Sequence, residues 1–94
     1  MDQTNAETQS STVSNVTIYT LHNDVFSWRA KKLLDRKGIS YTEQVVGNAP
    51  PDDQRARITA EQFTAAVPNV RRPPVTMING ETVVGLRALT KKLG

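Results

Sequence analysis

VTIYTLHNDVFSWRAKKLLDRKG, residues Val16–Gly38, divides into a strand, a short loop and a helix. Val16-Thr17-Ile18-Tyr19-Thr20 is β-branched and aromatic, the composition of a buried strand, and Leu21 extends it. Asn23 and Asp24 then supply side-chain oxygens for a helix N-cap. Phe26, Ala30, Leu33 and Leu34 recur at i, i+4, i+7 and i+8, which predicts one apolar helix face. Arg36 and Lys37 followed by Gly38 give the stop: cations in the last turn, then a residue free to turn left-handed.

Working outward, Ile39–Val46 reads as a second strand, parallel to the first through the helical crossover. Gly47-Asn48-Ala49-Pro50-Pro51 is a loop. Asp52 and Asp53 offer carboxylates for the start of a second helix with Ile58, Phe63, Ala66 and Val67 as its apolar positions and Pro68 as its end. Val75–Ile78 and Glu81–Val84 flank Asn79-Gly80, a strong hairpin signal. Leu86, Leu89 and Leu93 suggest a short closing helix. The resulting order is β-α-β-α-β-β-α.

The 94 residues allow one domain with a modest core. Residues 1–15 contain only Met1, Ala6 and Val13 as apolar side chains and read as a disordered N-terminal tail, leaving 16–94 as the domain. The tail lacks the basic start and apolar run of a secretory signal, and no stretch reaches membrane-spanning length. A cytoplasmic location without membrane association is the expectation. Net charge is +3, yet all twelve basic residues and only seven of the nine acidic ones lie from Val16 onward, a balance of +5. That excess favours anionic partners. There is no cysteine and a single histidine, His22. Disulfides and thiolate metal sites are excluded, and neither a metal nor a cofactor is expected.

Val16–Thr20, Arg29-Ala30-Lys31-Lys32-Leu33-Leu34, Gly38-Ile39-Ser40-Tyr41 and Pro73-Pro74-Val75-Thr76-Met77-Ile78-Asn79-Gly80-Glu81 together resemble the glutaredoxin family. The resemblance runs from Val16 to about Leu93. It implies an α/β thioredoxin fold in its minimal glutaredoxin form, with a central four-stranded mixed sheet. It also implies a cis proline at Pro74, in a loop that presents backbone to extended peptides. The family's Cys-x-x-Cys or Cys-x-x-Ser falls on Asp24-Val25-Phe26-Ser27. Phe26-Ser27 echoes the Cys-Gly-Phe-Ser of monothiol glutaredoxins. Gly85-Leu86-Arg87 is similar to the Gly-Phe-Arg turn of NrdH-type redoxins, and Asn23-Asp24-Val25 to their Asn-Asp-Cys-Val, shifted by one position.

Dithiol exchange requires a thiolate, and a carboxylate at Asp24 cannot replace its sulfur. Asp24 keeps the negative charge at a helix start, where it acts as an N-cap or as a fixed anion for a partner. The resemblance implies three supports for glutathione, and each is altered. Leu21 stands at the family's lysine, Pro73 supplies no N–H before the cis proline, and Arg87 or Ala88 replaces an aspartate. These changes argue against glutathione.

Three functional readings stay open. The first is a redox-inactive binding or regulatory module whose unknown protein partner meets the former active-site rim: Asp24, Val25, Phe26, Trp28, Arg72, Pro73, Pro74 and Arg87. Trp28 sits about 180° from the apolar stripe, beside Arg29, Lys31 and Lys32, and is expected to be partly exposed. Arg71-Arg72 is expected near Asp24, as a local ion pair or an anion clamp. The second is an enzyme, either a glutaredoxin-like redox or glutathione-related activity, or non-thiol chemistry at Asp24, Ser27 and His22. The third is a basic accessory domain for nucleic acid, using Lys31, Lys32 and a stacking Trp28.

Overall fold

In the computed structural model, which describes residues 15–94, strand β1 (Val16–Thr20) is the middle strand of a five-stranded sheet. The elements that follow are α1 (Val25–Arg36), β2 (Thr42–Val46), β3 (Ala56–Ile58), α2 (Ala60–Ala66), β4 (Val75–Ile78), β5 (Glu81–Val84) and α3 (Gly85–Leu93). The spatial order is β3-β2-β1-β4-β5. β1 pairs in parallel with β2, and β2 with β3, whereas β4 is antiparallel to both β1 and β5. Residues 1–14, nearly all of the segment read as a tail, lie outside the described residues.

The period-2 alternation of β1 sends its residues to two different cores. Val16 and Ile18 join Ala30, Leu33 and Leu34 of α1, Ile78 of β4, Val83 of β5 and Leu89 of α3 in the larger cluster. Tyr19 packs on the other face against a smaller cluster of Val46, Phe63, Val67 and Val75. Its ring meets Phe63 edge-on, with centroids 5.5 Å apart. Ile18, Leu34 and Leu89 are fully buried, and each such side chain contributes roughly 1.5–3 kcal/mol.

Five readings change on contact with the structure. The sheet has five strands, not four, because Ala56-Arg57-Ile58 pairs with Gln44-Val45-Val46 at the outer edge of β2. Ile58 therefore belongs to a strand and not to the second helix. Asp52 and Asp53 do not start that helix. Thr59 does, through a capping box in which its hydroxyl accepts the Gln62 N–H while Gln62 accepts the Thr59 N–H. Asp53 is instead taken by Arg55, whose backbone N–H and guanidinium both reach its Oδ1.

β2 also begins at Thr42 rather than Ile39. Ile39 is part of the close of α1: its N–H donates to Leu34 and the Gly38 N–H to Asp35. Gly38, at φ +70°, makes this double-bonded terminus accessible, and Ile39 folds back on the larger core. Phe26, placed in the buried stripe, is 54 % exposed, and Ser27 is buried in its stead. In the first turn of α1 the inward position is held by the hydrogen bonds of Ser27 to Asp24 and not by apolar packing. The hairpin at Asn79-Gly80 is as read, with φ of +50° and +87° at the two positions.

Candidate functional site

The loop from β1 to α1 places a carboxylate where the helix begins. Asp24 has extended backbone angles, and its Oδ2 accepts the Ser27 N–H at 2.9 Å. The same oxygen accepts the Ser27 hydroxyl at 2.9 Å, and Ser27 Oγ in turn accepts the Leu21 N–H at 3.0 Å. Two orphan backbone donors, one from the helix start and one from the strand end, are thereby satisfied by two short side chains. The Ser27 side chain is sealed, at 1 % exposure. Its proton is committed to Asp24, which is contrary to a nucleophile.

Asp24 Oδ1 faces Arg72, with Nη2 at 3.8 Å. Arg72 is 67 % exposed, so this is a loose surface pair. It comes from the loop that carries the Pro73–Pro74 bond, which is cis as expected. Pro73 and Pro74 are both buried, so they shape the rim without adding exposed side-chain surface to it. The Pro74 carbonyl accepts the Gly85 N–H at 2.9 Å, which ties this loop to the start of α3. Arg87 follows two residues later and is exposed, with no hydrogen bond or ion pair to Asp24 or Arg72.

Val25, Phe26 and Trp28 are 53, 54 and 55 % exposed. Three large apolar side chains thus crowd the first turn of α1, next to the partly buried Asp24 and the buried Ser27. The Lys32 ammonium stands 5.5 Å from the centroid of the Trp28 ring, one helical turn on.

Beside this rim lies a cavity of about 390 Å³, lined by Leu21, His22, Asp24, Trp28, Lys31 and Arg55 among others. Its far wall is a chain of charges that local sequence patterns do not reveal. Glu43 Oε2, on β2, accepts from Thr20 Oγ1 at 2.7 Å, from Lys31 Nζ at 3.0 Å and from Arg55 Nη1 at 3.0 Å. Arg55 continues to Asp53, and its Nη2 lies 3.3 Å from His22 Nδ1. His22 Nδ1 is also 3.7 Å from Asp53 Oδ2. His22 therefore faces Asp53 and Arg55, not Ser27, and the pairing needed for a histidine-activated serine is not formed.

This network sets the charges. Burial raises the Glu43 pKa, but hydrogen bonds from Thr20 and Lys31 and the charges of Lys31 and Arg55 prevail and hold it below the ordinary carboxylate range. Hydrogen bonds from the Arg55 side chain and backbone hold Asp53 well below that range. Arg55 is pushed up in return, chiefly by its hydrogen bond to Asp53. No signal within a short window marks these partners, because Glu43 lies 12 residues from both Lys31 and Arg55, and His22 lies 33 from Arg55. Among the described residues no group of three or more His, Cys, Asp or Glu side chains is arranged to hold a metal ion.

The glutaredoxin family profile matches residues 16–83, from the first residue of β1 into β5. The chain belongs to the glutaredoxin family. A crystal structure of glutaredoxin 1 from Francisella tularensis complexed with cacodylate is similar in fold, with a TM-score of 0.61. That match covers 83 % of this chain and 90 % of the other at 16 % identity, which speaks for the fold alone. No curated protein sequence matches the chain significantly. This glutaredoxin-family chain thus keeps the thioredoxin fold, the mixed sheet and the proline loop while containing no cysteine. No helix among the described residues is long and apolar enough to cross a membrane.

Proposed function

We propose that this domain is a redox-inactive member of its family that binds a protein partner through the former active-site rim. The observation that carries the reading is the state of Asp24. It stands at the family's cysteine position and is locked to the Ser27 N–H and hydroxyl, while Val25, Phe26 and Trp28 beside it remain exposed. A carboxylate has no route into thiol–disulfide exchange. An exposed aromatic and aliphatic cluster edged by arginine has the composition of an interaction surface. Arg72 and Arg87 supply the charged edge, and the buried prolines fix the loop between them.

Glutathione has no part in this function. Pro73 lacks the N–H that a bound tripeptide would need for ladder pairing, and Leu21 and Arg87 stand where a cation and an anion would be required. Arg87 repels the ammonium end of such a ligand. The expected setting is cytoplasmic, where thiol reductants leave a domain without cysteine unaffected.

Two measurements test the reading. The purified chain should give no turnover in disulfide-reduction assays coupled to glutathione or to thioredoxin reductase, and measurable turnover removes the proposal. A partner captured by the intact chain should be lost when Trp28→Ala and Arg72→Glu are introduced together. Capture undiminished by that double substitution would place the binding surface elsewhere.

A further inference from the structure

Beyond the rim, the exposed side of α1 carries an arrangement that the rim does not use. Arg29, Lys32 and Arg36 lie at i, i+3 and i+7, on one side of the helix. They border a groove of about 420 Å³ between α1 and α3, floored by Leu33 and Leu86 and closed at one end by Trp28. No acidic residue lines it. Among the described residues none of the three cations has a carboxylate within 4 Å, whereas Lys31, one residue from Lys32, is paired with Glu43. Asp35, the acidic residue nearest in sequence, lies close enough to Tyr41 to help burial raise that phenol.

We infer that this groove receives an acidic helical segment of a protein partner, with carboxylates facing Arg29, Lys32 and Arg36 and an aliphatic side chain resting on Leu33 and Leu86. The inference rests on the binding-module reading above and assigns the chemistry of the partner. Charge complementarity is the first argument: none of the three cations is in an ion pair among the described residues, so a docked anionic surface gains attraction without breaking one. Spacing is the second. From Arg29 to Arg36 the helix rises about 10 Å, the same rise that separates residues i and i+7 of a partner helix. The apolar floor is the third. Leu33 and Leu86 are both aliphatic, which suits a peptide side chain and offers no stacking surface to a nucleic-acid base. Lys32 already occupies one side of the Trp28 ring at 5.5 Å.

The probe is a helix-forming peptide, capped at both ends, with Glu at i, i+3 and i+7 and Leu at i+4. A second peptide has Lys at the Glu positions, and a single-stranded oligothymidylate is the third probe. Titrations follow Trp28 fluorescence and backbone amide resonances of the full chain. The acidic peptide should saturate with shifts centred on Arg29, Lys32, Arg36 and Leu86, and the Lys peptide should not bind. Arg29→Glu/Arg36→Glu should weaken the acidic peptide by at least about tenfold. Arg29→Gln/Arg36→Gln should weaken it less, and both variants can be checked for native far-UV dichroism, since both positions are exposed.

Shifts confined to Asp24–Phe26 and Arg72, unaffected by the charge reversal, would overturn the groove assignment and leave the rim reading intact. Tighter binding of the oligothymidylate at the same residues would make this face a nucleic-acid site. The absence of saturable shifts by a dissociation constant of about 1 mM would remove the groove as a docking site. Redox turnover by the chain would strike the binding-module reading by itself, whatever the peptides do.

Discussion

Two carboxylates on either side of α1 are satisfied in opposite ways. Asp24 is held by a backbone amide and a hydroxyl, both from Ser27, three residues away. Glu43 is held by Thr20, Lys31 and Arg55, from three different segments, 12 to 23 residues distant. The Asp24 arrangement closes on itself inside one turn and leaves the apolar surface around it free. The Glu43 arrangement joins β1, α1, β2 and the loop before β3, and consumes its cations in doing so. A site offered to a partner and a clamp that unites the fold are distinguished here by where their charges are spent.

The widest effect is expected from breaking the clamp. Glu43→Gln removes the charge that Lys31 and Arg55 share while leaving a similar shape. We expect a loss of about 2 kcal/mol in urea unfolding. That is below the roughly 3–5 kcal/mol of a fully buried pair, because both cations retain access to water. An unchanged midpoint would mean that the network is decoration on a sheet held by its cores.

Acid should act on the same clamp. Glu43 and Asp53 both titrate below the ordinary carboxylate range in the folded protein. As pH falls, the unfolded chain takes up protons at these positions before the folded one does, so stability falls with pH. Their contribution is complete above about pH 5 and is lost as pH drops through the ordinary range near pH 4 and on through the lower folded values. Thermal unfolding between about pH 7 and 3 should show this decline, with a shallower slope in Glu43→Gln. Equal slopes would exclude Glu43 as one of its sources.

Ser27→Ala attacks the other side of the comparison. It strips the Leu21 N–H of its acceptor in a partly buried position and deprives Asp24 of one donor. The expected cost is about 1–2 kcal/mol, with no change in partner capture if the exposed rim keeps its shape. Partner loss without loss of stability would instead show that the hydroxyl acts in recognition.

The same contrast explains what could be read in advance. Val16–Thr20, the stop at Arg36-Lys37-Gly38 and the Asn79-Gly80 hairpin are decided by neighbours a few residues apart, and all three appear in the structure. Asp24 as a cap for α1 belongs with them. β3 escaped because Ala56-Arg57-Ile58 is only three residues long and earns its conformation from β2. Asp53 has the chemistry of a helix cap, but Arg55 two residues on competes for its oxygens and takes them. Phe26 fits the helical period yet is exposed, because the period fixes a face of the helix and not what covers it. Around the candidate site, the exposure of Trp28 follows from the helical period, and the approach of Arg72 to Asp24 follows from the family resemblance. The Glu43 network follows from neither, since each of its links to Glu43 depends on tertiary placement.

The smallest expected effect is the most direct test of whether Asp24 is a local cap or half of a charged clasp. Asp24→Ala should cost about 1 kcal/mol, the ordinary value for losing an N-cap. Arg72→Ala should stay within about 0.5 kcal/mol, because its guanidinium is 3.8 Å away and mostly in water. The double variant separates the two roles. If the Ser27 N–H and hydroxyl account for the hold on Asp24, the two losses add, and the coupling energy stays under about 0.5 kcal/mol. A larger coupling would mean that Arg72 helps to fix Asp24 in the free protein, and a partner would have to separate the pair before it could meet either charge. Near-additivity leaves Arg72 available to a partner at no cost to the fold, as an interaction rim requires.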